Sequence, residues 1–248
     1  MDWVYLSITT FFAATIQSAT GFGFGLIAVP VFLLVLGTAD AIQMVMIIIL
    51  CMSILDWAKL RGHASRPLLL RLCIGMLIGF PFGMLVFHYV PLSGLKVIIA
   101  LVIIIFSLQN LLRLLNDKQA SAVPEPVDSQ NKWMTILTGT VSGVMSTSLA
   151  MPGPAVMLYL VHKGFEKTRI RATILTYFIF AYSGSILLQS ILVGVSKSTW
   201  VSSLLLVPFG LVGVISGHYL AQKIDQKLFK QLVLLILILT ALVMFYQL

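Results

Sequence analysis

Two short stretches carry residue types that could hold a solute. In QSATGFGFG, Gln17, Ser18 and Thr20 run directly into Gly21, Gly23 and Gly25; in STSLAMPGP, Ser146, Thr147 and Ser148 precede Pro152, Gly153 and Pro154. Hydroxyls and a carboxamide are neutral hydrogen-bonding groups. Glycine allows a helix to break and proline suits a helix start. A helix that starts inside a protein presents unpaired N–H groups and about half a positive charge at its N-terminus. The two stretches therefore predict a binding site for a small anionic solute, with all of these residues except Pro154 as candidate ligands. Arg171 stands a short way beyond the second stretch, where it would neutralise an anion at one mouth of such a site.

No acidic side chain competes with that reading. Asp2, Asp40, Asp56, Asp117, Glu125, Asp128, Glu166 and Asp225 all fall at expected element ends or in loops. A cation site thus lacks its counter-charge, and a carboxylate proton relay lacks its carboxylates. Cys51 and Cys73 lie in apolar segments without CxxC spacing and read as structural thiols, and no metal or cofactor is expected. No Ser/His/Asp set or acid pair falls at a common depth, so the chain is not read as an enzyme.

The elements that must position these residues are membrane helices. Hydrophobic residues make up 59% of the chain and charged ones 10%, with a mean hydropathy of +1.05, too little polar surface to cover a water-soluble globule. Single spans are expected at Ala41–Trp57, Pro67–Tyr89, Ser93–Leu115, Arg171–Val193, Thr199–Gln222 and Leu228–Gln247. Trp3–Gly37 and Trp133–His162 are too long for one upright span, and each contains one of the two stretches at its centre. Both are expected to be broken helices. Residues 116–132, polar and proline-containing, read as a solvated linker.

The order of elements repeats on either side of that linker: one broken segment, then three clean spans. Gly79 and Gly83 of IGFPFG fall against Gly213 and Gly217 of VGVISG, while Ser18 and Gly25 fall against Ser146 and Gly153. Lys and Arg concentrate on the cytoplasmic side of short loops. If each broken segment crossed once, the sixteen basic residues would divide evenly between the two faces. If instead each goes in and returns, with the N-terminus outside, all of the sixteen except Lys96 and Lys197 lie in the cytoplasm. The halves then face opposite ways. The expected fold is all-α and polytopic: two inverted repeats, 1–115 and 133–248, each a broken or re-entrant helical hairpin plus three transmembrane helices, joined by a cytoplasmic linker. Both termini are expected in the periplasm.

Inverted repeats with discontinuous helices are common architecture for secondary transporters, which hold substrate near the midplane. Topology and anionic lipid headgroups account for the net charge of +8, so no nucleic-acid partner is expected. The expected partners are a small anionic solute and membrane lipids, with self-association left open. His218, in SGHYLAQK near a cytoplasmic end, is the histidine best placed to couple a proton.

The Gly-rich tract leading into VPVFLLVLG, its echo MPGPAVMLYLVHKG followed by RATILTYF, and the paired GxxxG spans resemble the sulfite exporter TauE/SafE family of bacterial inner-membrane permeases. The resemblance covers essentially the whole chain. It implies an exporter or importer of sulfite, sulfoacetate or another small sulfur-containing organic anion in the bacterial inner membrane. One departure stands out: the second tract is not a glycine triplet, so the halves of the site need not bind equivalently. A non-transport membrane assembly or accessory protein is the alternative.

Overall fold

The computed structural model describes residues 2–60, 64–115, 131–165 and 167–223, together with 235–236, 238, 240 and 242–243. Among these there are helices and no strands. The chain forms α1 (Asp2–Thr20), α2 (Phe24–Leu36), α3 (Asp40–Leu60), α4 (Arg66–Tyr89), α5 (Leu92–Leu115), α6 (Lys132–Leu149), α7 (Gly153–His162), α8 (Lys167–Leu192) and α9 (Lys197–Lys223). Both broken segments are broken where expected, at Gly21–Gly23 and at Ala150–Pro152. Of the linker expected at 116–132, residues 116–130 lie outside the described residues and Lys132 already begins α6; most of the span expected at Leu228–Gln247 also lies outside them.

Among the described residues, four helices are long and apolar enough to cross a membrane: Arg66–Tyr89, Leu92–Leu112, Arg169–Leu192 and Lys197–Leu220. Their outward faces carry Leu70, Ile74, Leu77, Ile105, Leu108, Leu187, Leu205 and Ile215, all exposed, as lipid contact requires. The inner elements are apolar on every side. In α2, Phe24 to Pro30 are all buried, and in α3 so are Ala41 to Ile49. Such helices are hydrophobic all round because protein surrounds them.

The broken segments turn back on themselves. Near the start of α6, the Thr135 hydroxyl lies 2.7 Å from the Tyr159 hydroxyl near the end of α7. Closer to the break, Ser142 Oγ donates to the Pro152 carbonyl at 2.7 Å. Those two bonds make α6 and α7 an antiparallel hairpin. In the same way α1 packs along α2. The hairpins enter from opposite ends of the bundle. Gln43, at the start of α3, donates to the Gly194 carbonyl just beyond α8 at 3.2 Å, so α3 and α8 run antiparallel. Since α2 leads into the start of α3 and α7 into the start of α8, their far ends lie at opposite ends of that pair. With 13 and 10 residues, α2 and α7 are about 20 and 15 Å long, each short of the roughly 30 Å hydrocarbon core. Their starting ends therefore meet inside.

Two helix pairs brace the hairpins, and both do so through backbone. On α4, Gly75, Gly79 and Gly83 lie against Ile136, Thr140 and Val144 of α6, whose Gly139 and Gly143 in turn lie against Leu72 and Met76. On α9, Gly213 and Gly217 lie against Phe11 and Thr15 of α1. At each of these positions the glycine lies against backbone of the facing helix, which is how small residues let membrane helices approach. The two pairs share one register: Gly79 meets Thr140 as Gly213 meets Phe11, and Gly83 meets Val144 as Gly217 meets Thr15. In that register Ser18 corresponds to Thr147, not to Ser146 as its spacing in sequence suggested. Ser18 Oγ donates to the Val214 carbonyl of α9 at 2.9 Å, and Thr147 Oγ1 to the Phe80 carbonyl of α4 at 3.2 Å. Hydroxyl matching misplaced the register by one residue because backbone contact, not side-chain identity, sets it.

Candidate functional site

The two breaks meet. Gly25 is so near the second break that a Cβ there would lie 2.6 Å from the Ala150 carbonyl oxygen, and only glycine permits that approach. Gly153 faces Phe178 of α8, where an added Cβ would sit 3.1 Å from the ring. Between them lies a cavity lined by Gln17, Gly23, Gly25, Met151, Gly153 and Tyr182, closed off by Phe24, Leu26, Pro154 and Phe178. It encloses about 220 Å³ counting its open mouth, yet it is so narrow that barely one water molecule would fit.

Local sequence explains each wall. Gly23 has φ +110°, a conformation that L side chains rarely adopt, and it serves as the N-cap of α2. The Thr20 hydroxyl bonds to the Ile16 and Phe22 carbonyls at 2.8 and 2.6 Å, fixing the turn. At the other break, Ala150 ends α6 in the left-handed region with φ 55°, where Gly21 stands in the first break with φ 90°. For a non-glycine residue that conformation costs about 1–2 kcal/mol. Tyr182 compensates by donating to the Ala150 carbonyl at 3.0 Å. Pro152 then caps α7, with Pro154 at a position where its missing N–H loses no helical bond.

The electrostatics follow from those caps. Neither α2 nor α7 has a side chain bonded to its N-terminal amides. Two helix starts thus present N–H groups and positive dipole ends towards one cavity, and no acidic residue lines it. Gln17 adds a side chain. It is 4% exposed, lines the cavity, and its Oε1 has no hydrogen-bond partner. Rotating the carboxamide by half a turn exchanges that oxygen for the NH2 group, so Gln17 can offer a bound solute either a donor or an acceptor.

The structure brings together only some of the residues singled out from sequence. Gln17, Gly23, Gly25 and Gly153 line the cavity, with Gly21, Thr20 and Pro152 shaping its rims. The second hydroxyl cluster is turned elsewhere. Ser146 Oγ meets Ser185 Oγ at 2.8 Å, Thr147 bonds to the Phe80 and Gly143 carbonyls, and Ser148 back-bonds to Val144 at 2.6 Å. Ser18 is likewise spent on α9. Hydroxyls of this kind satisfy helices and join them. Arg171 lies under the first break, its side chain against Gly21, with one guanidinium nitrogen 2.8 Å from His218 Nε2.

Phe24, Leu26, Met151 and Phe178 are lining residues that the sequence reading did not single out, and Tyr182, which by its place on the span after the second break could reach the tip, also lines the cavity. A signal existed: Phe178 and Tyr182 are four residues apart on α8 and so share a face, and their rings stack edge to face with centroids 5.4 Å apart. Among the described residues no group of three or more His, Cys, Asp or Glu could hold a metal ion.

The family model described as Sulfite exporter TauE/SafE matches residues 6–244. No curated protein and no solved structure matches the chain.

Proposed function

Since the chain belongs to the sulfite exporter TauE/SafE family, we propose that it is a secondary transporter of a small anion, sulfite or an organosulfur or organic acid. On this reading it exports that anion across the bacterial inner membrane by alternating access. The observation that carries the proposal is the convergence of two uncapped helix N-termini and the Gln17 carboxamide on one cavity that no acid lines. A sulfonate or sulfite oxyanion would accept hydrogen bonds from those amides and gain from both dipoles. Apolar Phe24, Leu26, Met151 and Phe178 would face the non-ionic part of the solute.

The antiparallel α3 and α8, hairpins entering from opposite ends, and a shared register in the α1–α9 and α4–α6 pairs support two inverted repeats, 1–115 and 133–248. A narrow cavity between opposed tips suits a carrier caught near its occluded state, in which neither side has access. The orientation proposed from the basic residues places the α7 end of the bundle in the cytoplasm and both termini in the periplasm.

The test is uptake by proteoliposomes. The purified protein takes up labelled sulfite and sulfoacetate saturably, and trapped unlabelled anion accelerates entry by counter-exchange. Gly153→Leu inserts normally but carries at least about 100-fold less flux, because the new side chain meets Phe178 and fills the cavity. Equal uptake by the leucine variant would place the pathway away from these tips. Flux without saturation or exchange would mark a channel.

A further inference from the structure

One face of α8 carries Phe178, Tyr182, Ser185 and Gln189, at successive spacings of four, three and four residues. At such spacings side chains stand above one another along a helix. Phe178 forms part of the cavity wall, and the other three reach the end of α6. The Tyr182 hydroxyl donates to the Ala150 carbonyl at 3.0 Å, Ser185 Oγ lies 2.8 Å from Ser146 Oγ, and Gln189 Nε2 donates to the Thr147 carbonyl at 2.7 Å. Tyr182, Ser185 and Gln189 are all buried.

These bonds fall where α6 needs them. The helix ends at Leu149, and the last four carbonyls of a helix have no partner within it. The chain beyond it satisfies two carbonyls at this end: the Ala150 N–H donates to Ser146 and the Met151 N–H to Met145, each at 3.1 Å. Gln189 takes the Thr147 carbonyl, and Tyr182 takes that of Ala150, the left-handed residue of the break. Gln189 stays buried although its Oε1 has no hydrogen-bond partner, so it is the donor of this carboxamide that the fold uses. Thr147 is held from the other side as well, its hydroxyl donating to the Phe80 carbonyl of α4 at 3.2 Å.

We propose that Tyr182, Ser185 and Gln189 are positioning residues that fasten the end of α6 to α8, so that the second tip and α8 move as one body and access to the cavity changes at the contact between Gly25 and Ala150. The inference rests on the anion-carrier reading above. The Ala150 carbonyl is held differently on its two sides. Towards α8 it accepts a hydrogen bond, and parting α6 from α8 would break this bond and its two neighbours inside the membrane, where no lipid group replaces them. Towards the first tip it packs against Gly25, where even a Cβ would lie 2.6 Å away. A glycine surface slides past a carbonyl without giving up a hydrogen bond. Because Phe178 lies on the same face of α8, the wall it forms travels with the second tip, and the first tip uncovers the solute.

The test joins the two elements covalently. On a background with Cys51 and Cys73 replaced by alanine, Ser146→Cys combined with Ser185→Cys puts thiols where two hydroxyl oxygens stand 2.8 Å apart, within reach of a disulfide. A mild oxidant closes that bond, and proteoliposomes holding the oxidised protein exchange labelled sulfite and sulfoacetate as fast as those holding the reduced one. Failure of the pair to cross-link, or a loss of exchange on oxidation that a reductant reverses, overturns the inference and leaves the anion carrier standing. A second measurement separates positioning from stability. Gln189→Met keeps the length of the side chain, loses the donor, and raises the half-saturating concentration of uptake at least about fivefold, the low end for a buried acceptor left without its donor. Gln43→Met removes the same kind of bond, from a buried carboxamide to the Gly194 carbonyl, but that bond ties down α3 and not α6, and the half-saturating concentration stays at the wild-type value. A shift in Gln43→Met as large as that in Gln189→Met, or none in Gln189→Met, overturns the positioning role. Absence of uptake of either anion by the wild type overturns this inference and the carrier reading together.

Discussion

At the scale of residues, Gln17 is the one side chain in the cavity wall whose hydrogen-bonding group is buried and unpartnered. An unused buried polar group costs about 1–3 kcal/mol, which a bound solute would recover. Replacing it by leucine removes one hydrogen bond to the solute and is expected to weaken anion binding about 5- to 30-fold, read as the half-saturating concentration of uptake. Gln17→Glu has the same shape and adds a negative charge. Like charges in contact cost several kcal/mol, so this variant is expected to lose flux by more than about 100-fold near neutral pH. A glutamate variant as active as wild type would remove the anion from the argument. By contrast Ser146, Thr147 and Ser148 are tied to helix carbonyls and neighbouring hydroxyls. Their residue types were legible in sequence and their directions were not, since a hydroxyl on a helix can turn back onto its own turn or outward with little difference in local energy.

At the scale of elements, the two glycine-faced pairs decide where the hairpin tips stand. Gly79 abuts the Thr140 backbone and Gly213 the Phe11 backbone. A leucine at either position must push two helices apart, at a cost of about 1–3 kcal/mol or more. Gly79→Leu and Gly213→Leu are expected to lower the melting temperature in detergent by similar amounts, because they probe equivalent contacts. Gly37→Ala is the control: nothing lies within 4 Å of its added methyl, and only its left-handed φ of 64° is disfavoured. That change costs about 1–2 kcal/mol and leaves the helix pairs together. A Gly37→Ala protein less stable than either leucine variant would mean that the glycine faces are not what holds the pairs.

At the scale of the whole molecule, the antiparallel α3 and α8 and the opposed hairpins set Thr38 and His162 at opposite ends of the bundle. Both are exposed. On a background with Cys51 and Cys73 replaced by alanine, an impermeant thiol reagent applied to intact cells is expected to label Thr38→Cys. It should reach His162→Cys only after permeabilisation. Labelling of both from outside would refute the inverted arrangement. The basic residues in the loops set the absolute direction of this prediction, through the preference of Lys and Arg for the cytoplasmic face.

By itself, the sequence determined that the chain is an all-helical membrane protein, that two of its segments break at glycine and proline, and that no acid stands where they break. Those properties follow from composition and local backbone preference, which act over a few residues. Only the tertiary structure decided which polar groups face the cavity. It turned Gln17 inward and the second hydroxyl cluster away, set Ala150 in the left-handed region, and joined Arg171, His218 and Ser18 from three separate helices. The reason is physical: a side chain's direction depends on the rotation of its helix, and here that rotation is fixed by backbone contacts between helices far apart in the chain.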